Sequence, residues 1–148
     1  MTYIVIATLI SLAIIAFMPK RLKLQEIYVT WGILAAVAIN SDLFLGEILD
    51  LYDFGASGLQ GYDLLVDALF PPALGIIYLN YLPDSGKKIR RYMLLWTLGS
   101  IGIEGLAVFF GFEHIAKGWS LFYSAPIYFL VFAFLNWHLR FLRNRDYR

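Results

Sequence analysis

The chain has 148 residues, of which 60% are hydrophobic and only 16% charged, and its mean hydropathy is +0.68. Globular chains carry roughly 25% charge, so this is not the composition of a water-soluble domain. The absence of cysteine excludes a disulfide scaffold, and a net charge of +1 excludes a basic nucleic-acid domain.

About 20 apolar residues cross the roughly 30 Å of a bilayer's hydrocarbon, and five blocks of about that kind fill the sequence. The first span is predicted over 2–18 and ends at Pro19-Lys20-Arg21. No positive residue precedes it and no small-residue cleavage site follows, so it reads as a retained span and not as a signal peptide. The second, 27–49, runs into an acidic stretch and then a joint containing Gly55, Gly58 and Gly61. The third covers 62–83 and closes on the turn signal Pro83-Asp84-Ser85-Gly86. The fourth covers 92–112, and the fifth covers 119–139 before a basic tail. The predicted fold is all-α, a polytopic membrane helix bundle of five transmembrane helices forming one domain over 1–148.

The basic residues fix an orientation. Lys20, Arg21 and Lys23 fall in the first joint, Lys87, Lys88, Arg90 and Arg91 in the third, and Arg140, Arg143, Arg145 and Arg148 in the tail. With five spans these eleven of the twelve cations face one side, and only Lys117 faces the other. The positive-inside rule makes the shared side cytoplasmic, so the N-terminus is expected outside and the C-terminus inside. The multi-pass protein would then lie in the cell (cytoplasmic) membrane. Tyr28, Trp31, Tyr92, Trp96, Trp119, Tyr123 and Trp137 fall near span ends, where interfacial aromatic residues belong.

The acids segregate the other way, and three of them lie inside apolar blocks. Asp42 follows Asn40-Ser41 in the second, Asp67 lies one helical turn after Asp63 in the third, and Glu104 lies near the middle of the fourth. A charged group there costs about 2.5–3.5 kcal/mol on insertion scales. Such groups either line a polar path or join helices by hydrogen bonds. Asp42, Asp67 and Glu104 are therefore the candidate polar site. Asp63, Glu113, His114, Trp119 and Ser120 are secondary candidates around the outer joints. Pro71 and Pro72 would release the carbonyls of Asp67 and Ala68. That arrangement is either a simple kink or the broken-helix geometry of transporter ion sites; alternatively the pair begins the helix. Gly99, Gly102 and Gly105 predict close helix packing around Glu104.

Two histidines and no cysteine exclude a thiolate or multi-histidine zinc site, while a hard-cation site of carboxylates stays open. His138, beside Trp137 and Arg140, reads as interfacial. No phosphate-binding glycine loop or nucleophile motif is present.

The series Phe70-Pro71, Leu79, Pro83, the basic turn, Trp96, Glu104, Gly118-Trp119-Ser120 and Ser124 resembles an uncharacterised family of small multi-pass membrane proteins of spore-forming Gram-positive bacteria. The resemblance spans about residues 63–140, and the first two helices share only hydropathy with it. It implies a bacterial inner-membrane location and no known activity, and it puts Glu104, Trp119 and Ser120 at motif positions. Pro72 departs from the pattern.

Two functions follow from these residues. One is a binding or transport-related membrane component whose acids line an outward-facing cavity for a cation, protons or a cationic solute. The other is a structural or regulatory membrane protein whose acids join helices and which acts through a protein partner. An intramembrane enzyme is the least supported, because no nucleophile–base pair is visible. No cofactor is implied. The expected partners are the lipid bilayer and either a second copy or another membrane protein, with no nucleic acid.

Overall fold

The computed structural model describes residues 2–44, 52–54, 61–110, 113–115 and 120–145. These hold five helices, α1 (Thr2–Phe17), α2 (Leu24–Asp42), α3 (Gly61–Asn80), α4 (Gly86–Phe109) and α5 (Leu121–Arg145). Two short strands, β1 (Tyr52–Phe54) and β2 (Glu113–Ile115), were not foreseen. They pair antiparallel, with Tyr52 opposite Ile115 and Phe54 opposite Glu113, and so tie the α2–α3 joint to the α4–α5 joint.

Side chains at the two ends show that successive helices alternate in direction. At one end the Asn80 amide, closing α3, accepts from the Arg21 N–H at 2.8 Å and donates to the Pro19 carbonyl at 3.0 Å. At that same end Arg143 of α5 meets Glu26 of α2. At the opposite end the Tyr3 hydroxyl donates to the Ile103 carbonyl at 3.1 Å, and its ring stacks on Phe110. The basic residues of the α1–α2 joint, the start of α4 and the end of α5 therefore share one end of the bundle.

Helix boundaries depart from the hydropathy blocks in an instructive way. α4 starts at Gly86 and not near 92, because the Ser85 hydroxyl accepts from the Lys88 N–H and nucleates the helix. Lys87, Lys88, Arg90 and Arg91 are thus helical, not loop, despite standing at the positive pole of the helix dipole. α5 likewise carries Arg140, Arg143 and Arg145 on helical backbone. Hydropathy locates apolar stretches, whereas helices end where their backbone bonds are capped. α2 begins at Leu24, where the Glu26 carboxylate accepts from the Lys23 N–H at 2.8 Å, a capping interaction. Its α-helical part runs to Asp42 and Leu43–Phe44 widen into a π turn; the rest of the expected span, 45–49, lies outside the described residues.

α3 is the central element. Ala73, Ile76, Tyr78 and Asn80 in its second half are essentially inaccessible. Gly75 allows α2 to approach, since a Cβ there would run into the Leu34 side chain. The Tyr78 ring lies 4.5 Å from Phe132, 5.1 Å from Tyr92 and 5.7 Å from Trp96, centroid to centroid. Its hydroxyl donates to Asn136 Oδ1 at 3.0 Å, and Tyr92 donates to its backbone carbonyl. Tyr92, Trp96 and Trp31 thus pack inward, correcting their expected place in an interfacial belt. Tyr28, Tyr123 and Trp137 are exposed.

The bundle buries polar side chains beside its apolar core and leaves many large apolar ones outside. Thr8, Ser11, Thr30, Thr97, Ser124 and Asn136 are buried, while Leu9 and Ile10 of α1, Leu94, Leu95 and Leu98 of α4, and Leu130 of α5 are more than half exposed. α4 and α5 are long and apolar enough to cross a membrane. Only 22% and 28% of their most apolar stretches are buried, which is not the profile of core helices in a soluble protein. Neither lies at the N-terminus as a signal sequence would. Contiguous exposed apolar surface of this kind marks a membrane or partner face.

Candidate functional site

Glu104 belongs to a buried stripe of α4 that also carries Met93, Thr97 and Ala107, at helical spacing. The stripe faces α5, where Ser124 and Tyr128 stand four residues apart and so on one face. Ser124 Oγ donates to Glu104 Oε1 at 2.6 Å, and the Tyr128 hydroxyl donates to Oε2 at 2.7 Å. Each carboxyl oxygen is thereby taken by a hydroxyl from the neighbouring helix. Both contacts are at the short end for hydroxyl hydrogen bonds, and Glu104 is 9% exposed. The carboxyl bridges two residues one turn apart on α5 like a staple. Each oxygen keeps a second lone pair that a further donor or a cation could use.

Gly99 and Gly102, two of the three glycines expected to pack around Glu104, do not create this contact. A Cβ on Gly99 or Gly102 would meet nothing within 4 Å, so both point outward and the expected close packing around them is corrected. The tight approach occurs instead at Gly75 of α3. Small residues on an outer helix face permit packing, but packing needs a neighbour on that face.

Asp42 and Asp67 are buried too, each 7% exposed, and each has an interaction partner. Asp42 ends a stripe of α2 formed by Glu26, Thr30 and Leu34. Asp67 precedes Ala68 in α3, which runs unbroken through Pro71 and Pro72. The proline pair therefore does not begin the helix. Pro72 cannot donate to the Ala68 carbonyl, and the Trp31 indole does so instead, at 3.1 Å. One of the two carbonyls expected to be released is satisfied by a neighbouring side chain.

Among the described residues no three His, Cys, Asp or Glu side chains are grouped to hold a metal, so Asp42, Asp67 and Glu104 are not gathered in that way. Ser120 is exposed and caps α5, its hydroxyl accepting from the Phe122 N–H at 3.3 Å. Glu113 and His114 fall in β2, but their side chains, that of Asp63 and the whole of Trp119 lie outside what is described.

Three residues gain a role that the sequence does not announce. Tyr128 is absent from the sequence candidates, although its spacing from Ser124 is the signal that both can reach one acceptor. Glu26 is 4% exposed at its side chain; it caps α2 through one oxygen and binds Arg143 Nε at 2.7 Å through the other. His138, expected at the interface, is 4% exposed and stacks on Phe134. Its place on α5 puts it among Leu135, Asn136 and Leu139, which are buried as well.

Comparison of the chain with protein-family models, curated proteins and solved structures finds no match.

Proposed function

We propose that the chain is a five-span protein of a bacterial cell membrane, N-terminus outside and C-terminus inside, that acts as a structural or regulatory component through another membrane protein or a second copy of itself. The observation that carries this reading is the Glu104 staple. Its two oxygens are committed to Ser124 and Tyr128 of α5, which is how an intramembrane acid behaves when it joins helices. The exposed apolar faces of α1, α4 and α5 supply surface for lipid and for a partner. The membrane location rests on the two long apolar helices and the exposed apolar side chains, and the bacterial source on the family resemblance.

One observation favours the alternative, a site for a cation or a cationic solute. Glu26 is matched by Arg143, but Glu104 is held by neutral hydroxyls. Melting the purified protein against monovalent cations, divalent cations and amines separates the two. The structural reading expects a flat response. A dose-dependent stabilisation that disappears in Glu104→Gln would overturn it in favour of binding.

The absence of native cysteine makes topology testable with single introduced thiols. A membrane-impermeant maleimide should label Asp53→Cys in intact cells and Asp84→Cys only after permeabilisation. The reverse pattern would refute the orientation, and equal labelling of both would refute the membrane reading.

A further inference from the structure

The first turns of α2 carry an open surface recess of about 600 Å³, its described lining, Leu24, Ile27, Tyr28, Trp31, Gly32 and Ile33 among others, all from that helix. That volume is within the roughly 300–1,000 Å³ typical of small-molecule sites, yet the lining is almost wholly apolar. Leu24 and Tyr28 are about four-fifths exposed. Trp31 is anchored from behind by its bond to the Ala68 carbonyl, which fixes one wall. Gly32 keeps the recess open, because a Cβ there would meet nothing within 4 Å.

The recess's position in the chain gives it a charged mouth. α2 starts at Leu24, directly after Lys20, Arg21 and Lys23, and all three cations are exposed. The Arg21 guanidinium lies 5.9 Å from the Tyr81 ring centroid, which holds it at this end of the bundle. Glu26 is taken by Arg143, and among the described residues neither Lys20 nor Arg21 has an acidic partner. An apolar recess that begins three residues after Arg21 and four after Lys20, which have no acidic partner among the described residues, is complementary to an amphiphile with a long hydrocarbon tail and an anionic head. A soluble anion would leave the apolar wall unused, and an apolar helix would leave the cations unused.

We infer that this recess binds one anionic phospholipid, its acyl chain against Tyr28, Trp31 and Gly32 and its phosphate at Lys20 and Arg21. The site rests on the membrane reading above, since the lipid must come from the bilayer. Basic clusters at the cytoplasmic edge of membrane helices attract anionic head groups generally; the apolar recess is what would convert that attraction into a single defined site.

Native mass spectrometry of the detergent-purified protein tests the inference with phosphatidylglycerol and phosphatidylcholine of matched chains. The expected result is one retained phosphatidylglycerol per chain, at least fivefold over phosphatidylcholine. Gly32→Leu, whose Cβ would meet nothing within 4 Å and whose side chain would occupy the recess, should remove that adduct. Lys20→Gln with Arg21→Gln should abolish the preference for phosphatidylglycerol while leaving the melting temperature within two or three degrees. Tyr28→Ala, at an exposed position, provides a second recess variant and should weaken retention severalfold. Equal retention of both lipids by the native chain would overturn the inference and leave the membrane reading intact. So would an adduct unchanged in both Gly32→Leu and Tyr28→Ala. Competition by glycerol phosphate as strong as by the lipid would assign the site to a free anion and overturn it as well.

Discussion

If Glu104 joins α4 to α5, its carboxyl must matter as a hydrogen-bond acceptor and not as a charge. Replacing it by glutamine tests the distinction directly. In Glu104→Gln the amide would keep one carbonyl oxygen for one hydroxyl and present an N–H to the other, whose oxygen can turn to accept it. Both contacts survive with one reversed in direction. The cost should therefore stay below about 1 kcal/mol, the net value of a typical hydrogen bond. Glu104→Leu loses both contacts and leaves the Tyr128 hydroxyl without its acceptor. Ser124 is less affected, because a helical serine can turn back to the carbonyl four residues earlier. Interhelical bonds in membrane proteins average about 0.6 kcal/mol with a ceiling near 1.7. Two such bonds and a stranded hydroxyl give about 2–3 kcal/mol for leucine. Unfolding in mixed micelles of rising dodecyl sulfate is the assay, read through tryptophan fluorescence, because Trp96 packs on Tyr78 and Phe132 in the core. The reasoning fails if Glu104→Gln is as damaging as Glu104→Leu. It fails equally if Tyr128→Phe costs nothing in the native background, or costs as much in the Glu104→Leu background as in the native one.

The same assay reads three further expectations. Trp31→Phe should cost about 1–2 kcal/mol by stranding the Ala68 carbonyl, and the cost should shrink when Pro72→Ala restores a helical N–H to that carbonyl; an unchanged cost would remove the indole from this role. Gly75→Leu should destabilise by about 1–3 kcal/mol through overpacking, with partial recovery when Leu34→Ala is added; full stability in the single variant would show that the helices can separate freely there. Arg143→Ala leaves the buried Glu26 carboxylate with only its capping N–H. Because Arg143 is 49% exposed, solvent screening limits the loss to about 1–2 kcal/mol. Arg143→Lys should recover only part of it, and a loss beyond about 3 kcal/mol would mean that the pair is shielded far more than its exposure indicates.

Much of this architecture is legible in the sequence, and the reason is physical. Apolar blocks must be helical in hydrocarbon because no water is there to satisfy the backbone, and each of the five blocks holds one of the five helices. The cations that group together in the sequence gather at one end of the bundle. What the sequence hides is rotation about each helix axis. Glu104, Gly99 and Gly102 share a stretch of α4, yet Glu104 points to α5 and the glycines point away. Low amphipathicity explains this: with leucine on the outside and threonine or serine within, neither face advertises itself as core. Trp31, Tyr92 and Trp96 depart from the expected belt for the same reason, since an aromatic ring near a span end fits a belt and a core equally well. Among the candidate acids, Glu104 stands out in the sequence as an acid within an apolar run. Its partner Tyr128 becomes recognisable only once α4 and α5 are known to be adjacent.

The ladder between β1 and β2 holds its end of the bundle by main-chain bonds, while the basic end is held by individual side chains such as Asn80, Glu26 and Arg143. The two ends are thus exposed to different kinds of genetic change. Point substitutions in Tyr52–Phe54 or Glu113–Ile115 leave the bonding groups in place, whereas an inserted or deleted residue would slide the register and turn each following side chain to the opposite face. At the basic end a single substitution is enough: losing one amide or guanidinium removes the contact altogether.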